Sequence, residues 1–290
     1  EQWCEATSGI DAVLSAADVP GKNCFGVIPA FADQPVFAEK VARFRGEAVA
    51  AIVGSPDVIA AFSPDEFPVT WTELDSVATV EEARAGAAPQ LHESRDNNEM
   101  CRGFVACGDP QAAFAKADVV VEGAFSTGFV EHAYIEPEAG FAEMVEGRVE
   151  IHVCTQAPVM DQESMATILG MDLGNVRIVP TGVGGGFGAK LDISVQPYVA
   201  LAALKTGRPA RITYTRTESM QSTTKRHPSE IRLKIGATKD GKLAGFDFFG
   251  AFNTGAYASW GPTVSNRVPV HASGPYRIAD YRAEALGIHT

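Results

Sequence analysis

A glycine-rich run at residues 182–188 limits what this chain can fold into more than any other feature. Five of its seven residues are glycine, and glycine loses more conformational freedom on folding than any other residue. An apolar segment at 175–180 precedes the run and a helical pattern at 194–206 follows it. The run is therefore predicted to join a strand to a helix, with its amides free to face an anion. A tight turn without a ligand explains one glycine but not three in succession.

Generic nucleotide-binding patterns fit this run poorly. Gly184, Gly186 and Ala189 satisfy the dinucleotide spacing only loosely, and the next strand ends without the acidic residue that binds a ribose. The phosphate-loop pattern fails because no Ser or Thr follows Lys190. A nicotinamide-dependent dehydrogenase is therefore disfavoured. A module that holds a different anion, or only a partner surface, remains the alternative to a cofactor site.

The central part of the chain alternates between strand and helix patterns. This alternation predicts a βαβ arrangement with ligand loops at the strand ends. The later part turns to antiparallel strands, where Asp240-Gly241 is a hairpin signal. The expected strands are 148–155, 175–180, 208–215, 230–238 and 243–252, and the expected helices are 159–170 and 194–206.

The N-terminal half reads as mixed α/β. Its expected strands are 10–15, 48–53, 67–74, 119–125 and 139–144, and its expected helices begin near Pro56 and at Asp109-Pro110. Residues 79–105 are polar and poor in large apolar groups, which indicates a surface linker. We expect three parts: a domain at 1–84, a linker at 85–105 and a second domain at 106–290. Residues 281–290 are mostly apolar, as in a strand that is cut.

Composition narrows the class of protein. A chain of 290 residues with 46% hydrophobic and 21% charged residues is typical of a folded globular protein. Its net charge of -12 argues against nucleic-acid binding and against docking on an anionic membrane. No apolar run is long enough to span a bilayer, and residues 1–5 do not resemble a signal peptide. Five cysteines, an odd number, favour reduced thiols and a cytoplasmic setting.

Several motifs together resemble one family. The run Gly-Gly-Gly-Phe-Gly at 184–188 is similar to the signature loop of the aldehyde oxidase and xanthine dehydrogenase family of molybdenum hydroxylases. Gln156 precedes Phe187 by 31 residues, and the family carries a Gln near the molybdenum ligands at the matching place. Further blocks stand in family order at 9–23, 33–35, 45–50, His132, Glu136-Pro137, 225–228 and 253–257.

The resemblance implies a fold and a function. It implies a mixed α/β chain in which 1–84 is part of an α/β-hammerhead domain and 106–290 is the first half of a molybdenum-cofactor-binding domain. The implied reaction oxidises an aldehyde or N-heterocycle with oxygen from water. Hydride passes to a sulfido group of molybdenum, and electrons pass on to iron–sulfur and flavin (FAD) partner subunits or domains. An oligomer is implied as well.

The resemblance also implies roles for particular residues. Gln156, Gly185, Gly186, Phe187 and Gly188 would contact the molybdenum–molybdopterin cofactor, with no direct metal ligand from the chain. The amide of Gln156 can donate to an oxygen ligand of the metal without adding charge.

The substrate pocket would include Phe187, Leu191 and Arg267. Xanthine-oxidising members have Glu where Leu191 stands, so an aldehyde or another less polar substrate is favoured. No catalytic residue is assigned, because the family's glutamate base is expected beyond Thr290. Glu136 is interpreted as a structural carboxylate. The remaining half of the molybdenum domain is the expected first partner.

Overall fold

The computed structural model describes Trp3 and residues 7–290. The expectation about a signal peptide at 1–5 lies almost entirely outside these residues, as does Cys4. The strands are β1 (Ile10–Leu14), β2 (Ala51–Gly54), β3 (Glu99–Cys107), β4 (Val119–Thr127), β5 (Ala139–Val145), β6 (Arg148–Val153), β7 (Val176–Pro180), β8 (Ala210–Thr213), β9 (Ser229–Ala237), β10 (Leu243–Asn253) and β11 (Asp280–Ile288). The helices are α1 (Pro56–Ala61), α2 (Val80–Ala83), α3 (Pro110–Lys116), α4 (Pro158–Leu169), α5 (Gln196–Thr206), α6 (Arg216–Ser222) and α7 (Gly261–His271).

The mixed α/β class predicted from the sequence is confirmed. The chain forms two compact units, and each is built from two separate stretches. The first unit comprises Glu1–Leu74 and Glu131–Lys225, and the second comprises Asp75–Val130 and Arg226–Thr290. The domain boundaries expected from the sequence stay a prediction. Within the described residues, no helix is both long enough and apolar enough to cross a bilayer.

The first unit contains a four-stranded sheet in the order β7-β6-β5-β8. β6 and β7 are parallel, so the predicted strand–helix–strand crossover is present as β6-α4-β7. α4 ends at Gly170, whose left-handed φ of 62° lets the chain leave the helix. β8 pairs with β5 at the edge opposite β7. The following helix α5 therefore returns the chain across the sheet, and the loop after β7 is left at the end of the strands.

The main core of the first unit lies between this sheet and its helices. Val149, Ile151 and Val153 of β6 are fully buried, and so are Met165 and Ile168 of α4. These apolar residues alternate along β6 with polar ones, so one face of the strand is packed in this core. The strand that leads to Gln156 is thus anchored through that face.

Shortening Ile151 tests this core. Ile151→Ala removes buried methylene groups from a fully buried side chain, and we expect a loss of about 2–5 kcal/mol in the free energy of unfolding. Val159→Ala, on the exposed side of α4, is the control and should change stability by less than about 0.5 kcal/mol. Urea unfolding of both variants measures the difference. Equal midpoints would show that β6 is not central to the core.

A buried polar group ties α4 to α5. The Asp161 carboxylate is 1% exposed and accepts a hydrogen bond from Gln196 Nε2 at 3.0 Å. Gln196 Oε1 in turn accepts from the Ser194 amide at 2.6 Å. Burial raises the pKa of Asp161 from 3.8 to about 6, although hydrogen bonds from Thr155 and Gln196 oppose the shift. The ionised carboxylate is therefore a destabilising feature at neutral pH.

This pKa predicts a pH dependence with a definite sign. A folded-state pKa above the unfolded value adds stability that is complete below pH 3.8 and is lost as pH rises through about 6. We expect Asp161→Asn, which keeps an acceptor for Gln196, to flatten the stability curve in that window and to be more stable than the parent at pH 7. Urea unfolding at several pH values measures both effects. Parallel curves for parent and variant would contradict the assignment.

The second unit contains a five-stranded sheet in the order β3-β11-β10-β9-β4. The hairpin expected around Asp240-Gly241 is confirmed, since β9 and β10 are antiparallel. β11 then pairs in parallel with β10 after the chain passes through α7, which packs on β3 and β11. α3 begins as predicted: the Asp109 side chain accepts from the amides of Gln111 and Ala112, and Pro110 occupies the first turn.

One local expectation was wrong. The segment 67–74 forms no strand, because Pro68 lacks an amide donor and no neighbouring strand pairs with it; Trp71 and Leu74 are each 62% exposed. The linker expected at 85–105 stays a prediction, and its last residues form most of β3, which pairs with β11 along its length. The sequence did not predict β3, because the segment around it is polar and its partner strand β11 lies far away in the sequence.

Candidate functional site

The glycine run forms an irregular loop after β7, within the first unit. Gly185 and Gly188 have φ values of 106° and 93°, and the intervening Phe187 has a φ of 53°. A bulky residue in the left-handed region costs about 1–3 kcal/mol and persists only where its surroundings impose it. Phe187 is nevertheless 74% exposed. The loop thus holds a large apolar side chain outward on a strained backbone, which indicates a functional constraint.

Gln156 lies against this loop, as the sequence predicted. It follows β6, and its side-chain oxygen Oε1 accepts from the amides of Gly188 at 3.0 Å and Lys190 at 3.3 Å. Its backbone amide also donates to the Lys190 carbonyl at 2.8 Å. Because Oε1 is already hydrogen-bonded to the loop, only the two N–H donors on Nε2 remain available in this side-chain amide. Nε2 makes no hydrogen bond to any residue that the structure describes.

Two glycines are required by close contacts. A Cβ at Gly186 would lie 2.3 Å from Oε1 of Gln156, and a Cβ at Gly184 would lie 2.6 Å from Cβ of Glu136. Either contact is far shorter than van der Waals separation, so any larger residue would displace Gln156 or Glu136. The glycines therefore serve the packing of the loop on its neighbours as well as its conformation.

Three successive loop amides are left for a ligand. Within residues 7–290, the amides of Gly185, Gly186 and Phe187 donate to no protein acceptor, whereas those on either side, Gly184 and Gly188, are bonded. Unpaired successive amides form a concave site for oxygen atoms that carry negative charge. Nε2 of Gln156 adds further donors on a side chain that packs against Gly186. This donor set fits a ligand rich in anionic or oxo oxygen atoms.

An ion pair holds the two ends of the loop. Glu136 Oε2 accepts from the Gly184 amide and from Lys190 Nζ, each at 2.9 Å. The side chain of Lys190 is 2% exposed. Burial alone would raise the pKa of Glu136, but its hydrogen bonds to Gly184 and Lys190 outweigh burial and lower it. These bonds favour the ionised form of Glu136 and tie its carboxylate to both ends of the loop, and its structural role stays a prediction.

The two remaining pocket residues have different positions. Leu191 is half-buried and directly follows Lys190. Arg267 is exposed on α7 in the second unit, so its proposed place beside a substrate stays a prediction. Lys190 is the important residue that the sequence reasoning did not identify. A lysine after a glycine loop suggested only a phosphate-loop motif, and nothing local showed that it would be buried.

Known proteins resemble this chain over nearly its full length. It is 38% identical over 287 residues to a probable xanthine dehydrogenase subunit of Bacillus subtilis (strain 168), and this match covers 99% of this chain and 38% of the relative. It is 37% identical over 288 residues to the nicotinate dehydrogenase large molybdopterin subunit of Eubacterium barkeri, covering 98% and 66%. The aldehyde oxidoreductase from Desulfovibrio gigas superposes with a TM-score of 0.94 at 27% identity, covering 100% of this chain and 33% of that one.

The chain spans between about a third and two thirds of these relatives. A family model described as the molybdopterin cofactor-binding domain matches residues 91–290. This match includes Gln156 and the whole glycine loop, and it extends over more than half of the chain. The chain therefore belongs to the family of molybdopterin cofactor-binding domains.

Proposed function

We propose that the glycine loop and Gln156 hold the molybdopterin cofactor in a molybdenum-dependent oxidoreductase that oxidises an aldehyde or an N-heterocycle. One observation supports this most directly. Oε1 of Gln156 is bonded to the loop, and among the described residues its Nε2 donors and the three successive amides of Gly185, Gly186 and Phe187 have no protein acceptor. Neutral donors of this kind suit oxygen atoms bound to a metal, because they bind without adding a charge.

The residues present fit the cofactor. The middle of the loop offers three amides without a protein acceptor among the described residues, and Gly184 and Gly186 leave room for Glu136 and Gln156 to lie against it. When bound, the molybdenum centre would supply the two-electron redox chemistry. The chain's own contribution is to bind and orient: the loop amides and Gln156 fix the cofactor, and the exposed ring of Phe187 supplies an apolar surface for a flat substrate.

The substrate class rests on the residue after Lys190. Leu191 offers no carboxylate to bind the polar edge of a purine, which favours an aldehyde or a less polar heterocycle. The relatives are named as xanthine and nicotinate dehydrogenases and as an aldehyde oxidoreductase, so both substrate types occur among them. Arg267 remains a candidate for contacting a substrate anion.

The proposed activity needs parts that this chain does not supply alone. We assign no catalytic base to it and expect the base in a further segment. We propose as partners the remaining half of the molybdenum domain, and iron–sulfur and FAD subunits or domains that take the electrons onward. Two relatives are themselves named as subunits. The hammerhead assignment for 1–84, the linker at 85–105, the first-half assignment for 106–290, an oligomeric assembly and a cytoplasmic setting are part of the same proposal.

Substitutions of Gln156 separate its two roles. Gln156→Glu keeps oxygen acceptors for the amides of Gly188 and Lys190 but removes both Nε2 donors and adds a negative charge. We expect the fold to persist while molybdenum and pterin content falls by about tenfold or more, as for other residues that orient metal ligands. Metal analysis and pterin fluorescence of protein purified with its native partners measure this loss.

A matched control is Gln221→Glu, an exposed position on α6 in the same unit. It should retain the parent's cofactor content. Absence of molybdenum from the parent, or full content in Gln156→Glu, would contradict the proposal. In that case thermal shifts with nucleotides but not with pterin cofactor would favour the alternative, a module that binds another anion.

A further inference from the structure

The glycine loop is held at both ends by one pair of side chains. Lys190 Nζ donates to the carboxylate oxygen Oε2 and to the backbone carbonyl of Glu136, each at 2.9 Å. The same Oε2 accepts from the Gly184 amide at 2.9 Å. Gly184 begins the glycine triplet and Lys190 ends the loop, so this pair closes the loop between residues six apart.

Lys190 joins this closure to Gln156. Its backbone carbonyl accepts from the amide of Gln156, and its own amide donates to the Gln156 side chain. A continuous set of bonds therefore runs from Gly184 through Glu136 and Lys190 to Gln156 and Gly188. The loop amides that this set leaves unbonded are those proposed to face the cofactor.

The closure depends on charge in a nearly dry environment. An ammonium that is almost fully buried is strongly destabilising unless it is paired, and Lys190 has Glu136 as its only ion-pair partner among the described residues. Nζ also lies 4.4 Å from the ring centre of Tyr134, a favourable cation–π contact. The thiol of Cys154, like Tyr134, is a titratable group that faces the pair.

The segment that carries Glu136 is itself fixed. The hydroxyl of Tyr134 donates to the buried carboxylate of Glu138. Arg216 Nη2 donates to the carbonyls of Tyr134 and Ile135 at 2.6 and 3.0 Å. Glu136 thus belongs to a segment that other hydrogen bonds hold in place. The ion pair between Glu136 and Lys190 therefore sets the position of the loop.

We propose that Glu136 and Lys190 are positioning residues: their ion pair sets the loop amides of residues 185–187 and the Gln156 amide in the cofactor-binding arrangement before the cofactor arrives. The inference rests on the proposed function and deepens it. Both act by removing the entropy of ordering a glycine-rich loop at the moment of binding.

The main test replaces the pair without leaving a buried charge alone. The double variant Glu136→Leu/Lys190→Met removes both charges at similar volume, which commonly preserves the fold. In the chain without cofactor, we expect hydrogen exchange at the amides of Gly184, Gly188 and Lys190 to accelerate by at least about tenfold, while exchange in β6 and α4 stays unchanged. In protein purified with its partners, we expect cofactor to be lost faster than from the parent.

The matched control removes another ion pair of the same unit. Lys205 and Asp18 are bonded at 3.0 Å, and Asp18→Asn/Lys205→Met should leave exchange at the loop amides as in the parent. A second readout is the Gly184 amide resonance in glycine-labelled protein. In the parent it should shift as pH falls through a value below 4.5, where Glu136 takes up a proton. In the single variant Glu136→Gln it should not titrate in that range.

The outcomes separate this inference from the proposed function. Loop exchange in the double variant equal to that of the parent, together with full molybdenum content in the parent, would overturn the positioning role alone. A parent that holds no molybdenum would overturn the proposed function, and with it the purpose given to the pair. Faster loop exchange with faster cofactor loss, both absent from the Asp18/Lys205 control, is the result we expect.

Discussion

The buried ammonium of Lys190 is the constraint on which the candidate site depends. The side chain of Lys190 is only 2% exposed, so its charge requires a partner of opposite charge. Glu136 is that partner, and it also accepts a hydrogen bond from the Gly184 amide. The backbone of Lys190 makes two hydrogen bonds with Gln156: the Lys190 carbonyl accepts from the Gln156 amide, and the Lys190 amide donates to the Gln156 side chain. One residue therefore links the end of β6, the segment before β5 and both ends of the loop, and it does so within one compact unit.

The loop combines conformational cost with rigidity. Glycines make the conformation accessible but raise the entropy lost on folding, and Phe187 adds the strain of a left-handed backbone. These local costs are offset by well-packed surroundings: one face of β6 is fully buried in the core, and α4 is tied to α5 through Asp161 and Gln196. A strained, open loop on a rigid base is the arrangement expected where a large ligand must be held in a single orientation.

The backbone amides of the glycine loop divide into those bonded to the protein and those without an acceptor among the described residues. Amides at the loop ends bind protein acceptors, and those in the middle do not. A loop that satisfied all its donors internally would be more stable but could not bind an oxygen-rich ligand. The amides without a protein acceptor are those that we propose to face the cofactor, and Gly184 and Gly186 are required because Glu136 and Gln156 approach too closely for a side chain.

The sequence by itself determined the local features. It predicted the β6-α4-β7 crossover, the β9–β10 hairpin and the cap at Asp109, because periodicity and turn chemistry are encoded in neighbouring residues. The place of Gln156 beside the glycine loop was expected from the family resemblance. Only the tertiary structure decided the rest. β3 was hidden in a polar segment because its partner β11 is remote in sequence, 67–74 failed as a strand for lack of a neighbour, and the burial of Lys190 beside Glu136 follows from packing between segments 54 residues apart. Burial and long-range pairing depend on which segments meet in space, and no local pattern records that.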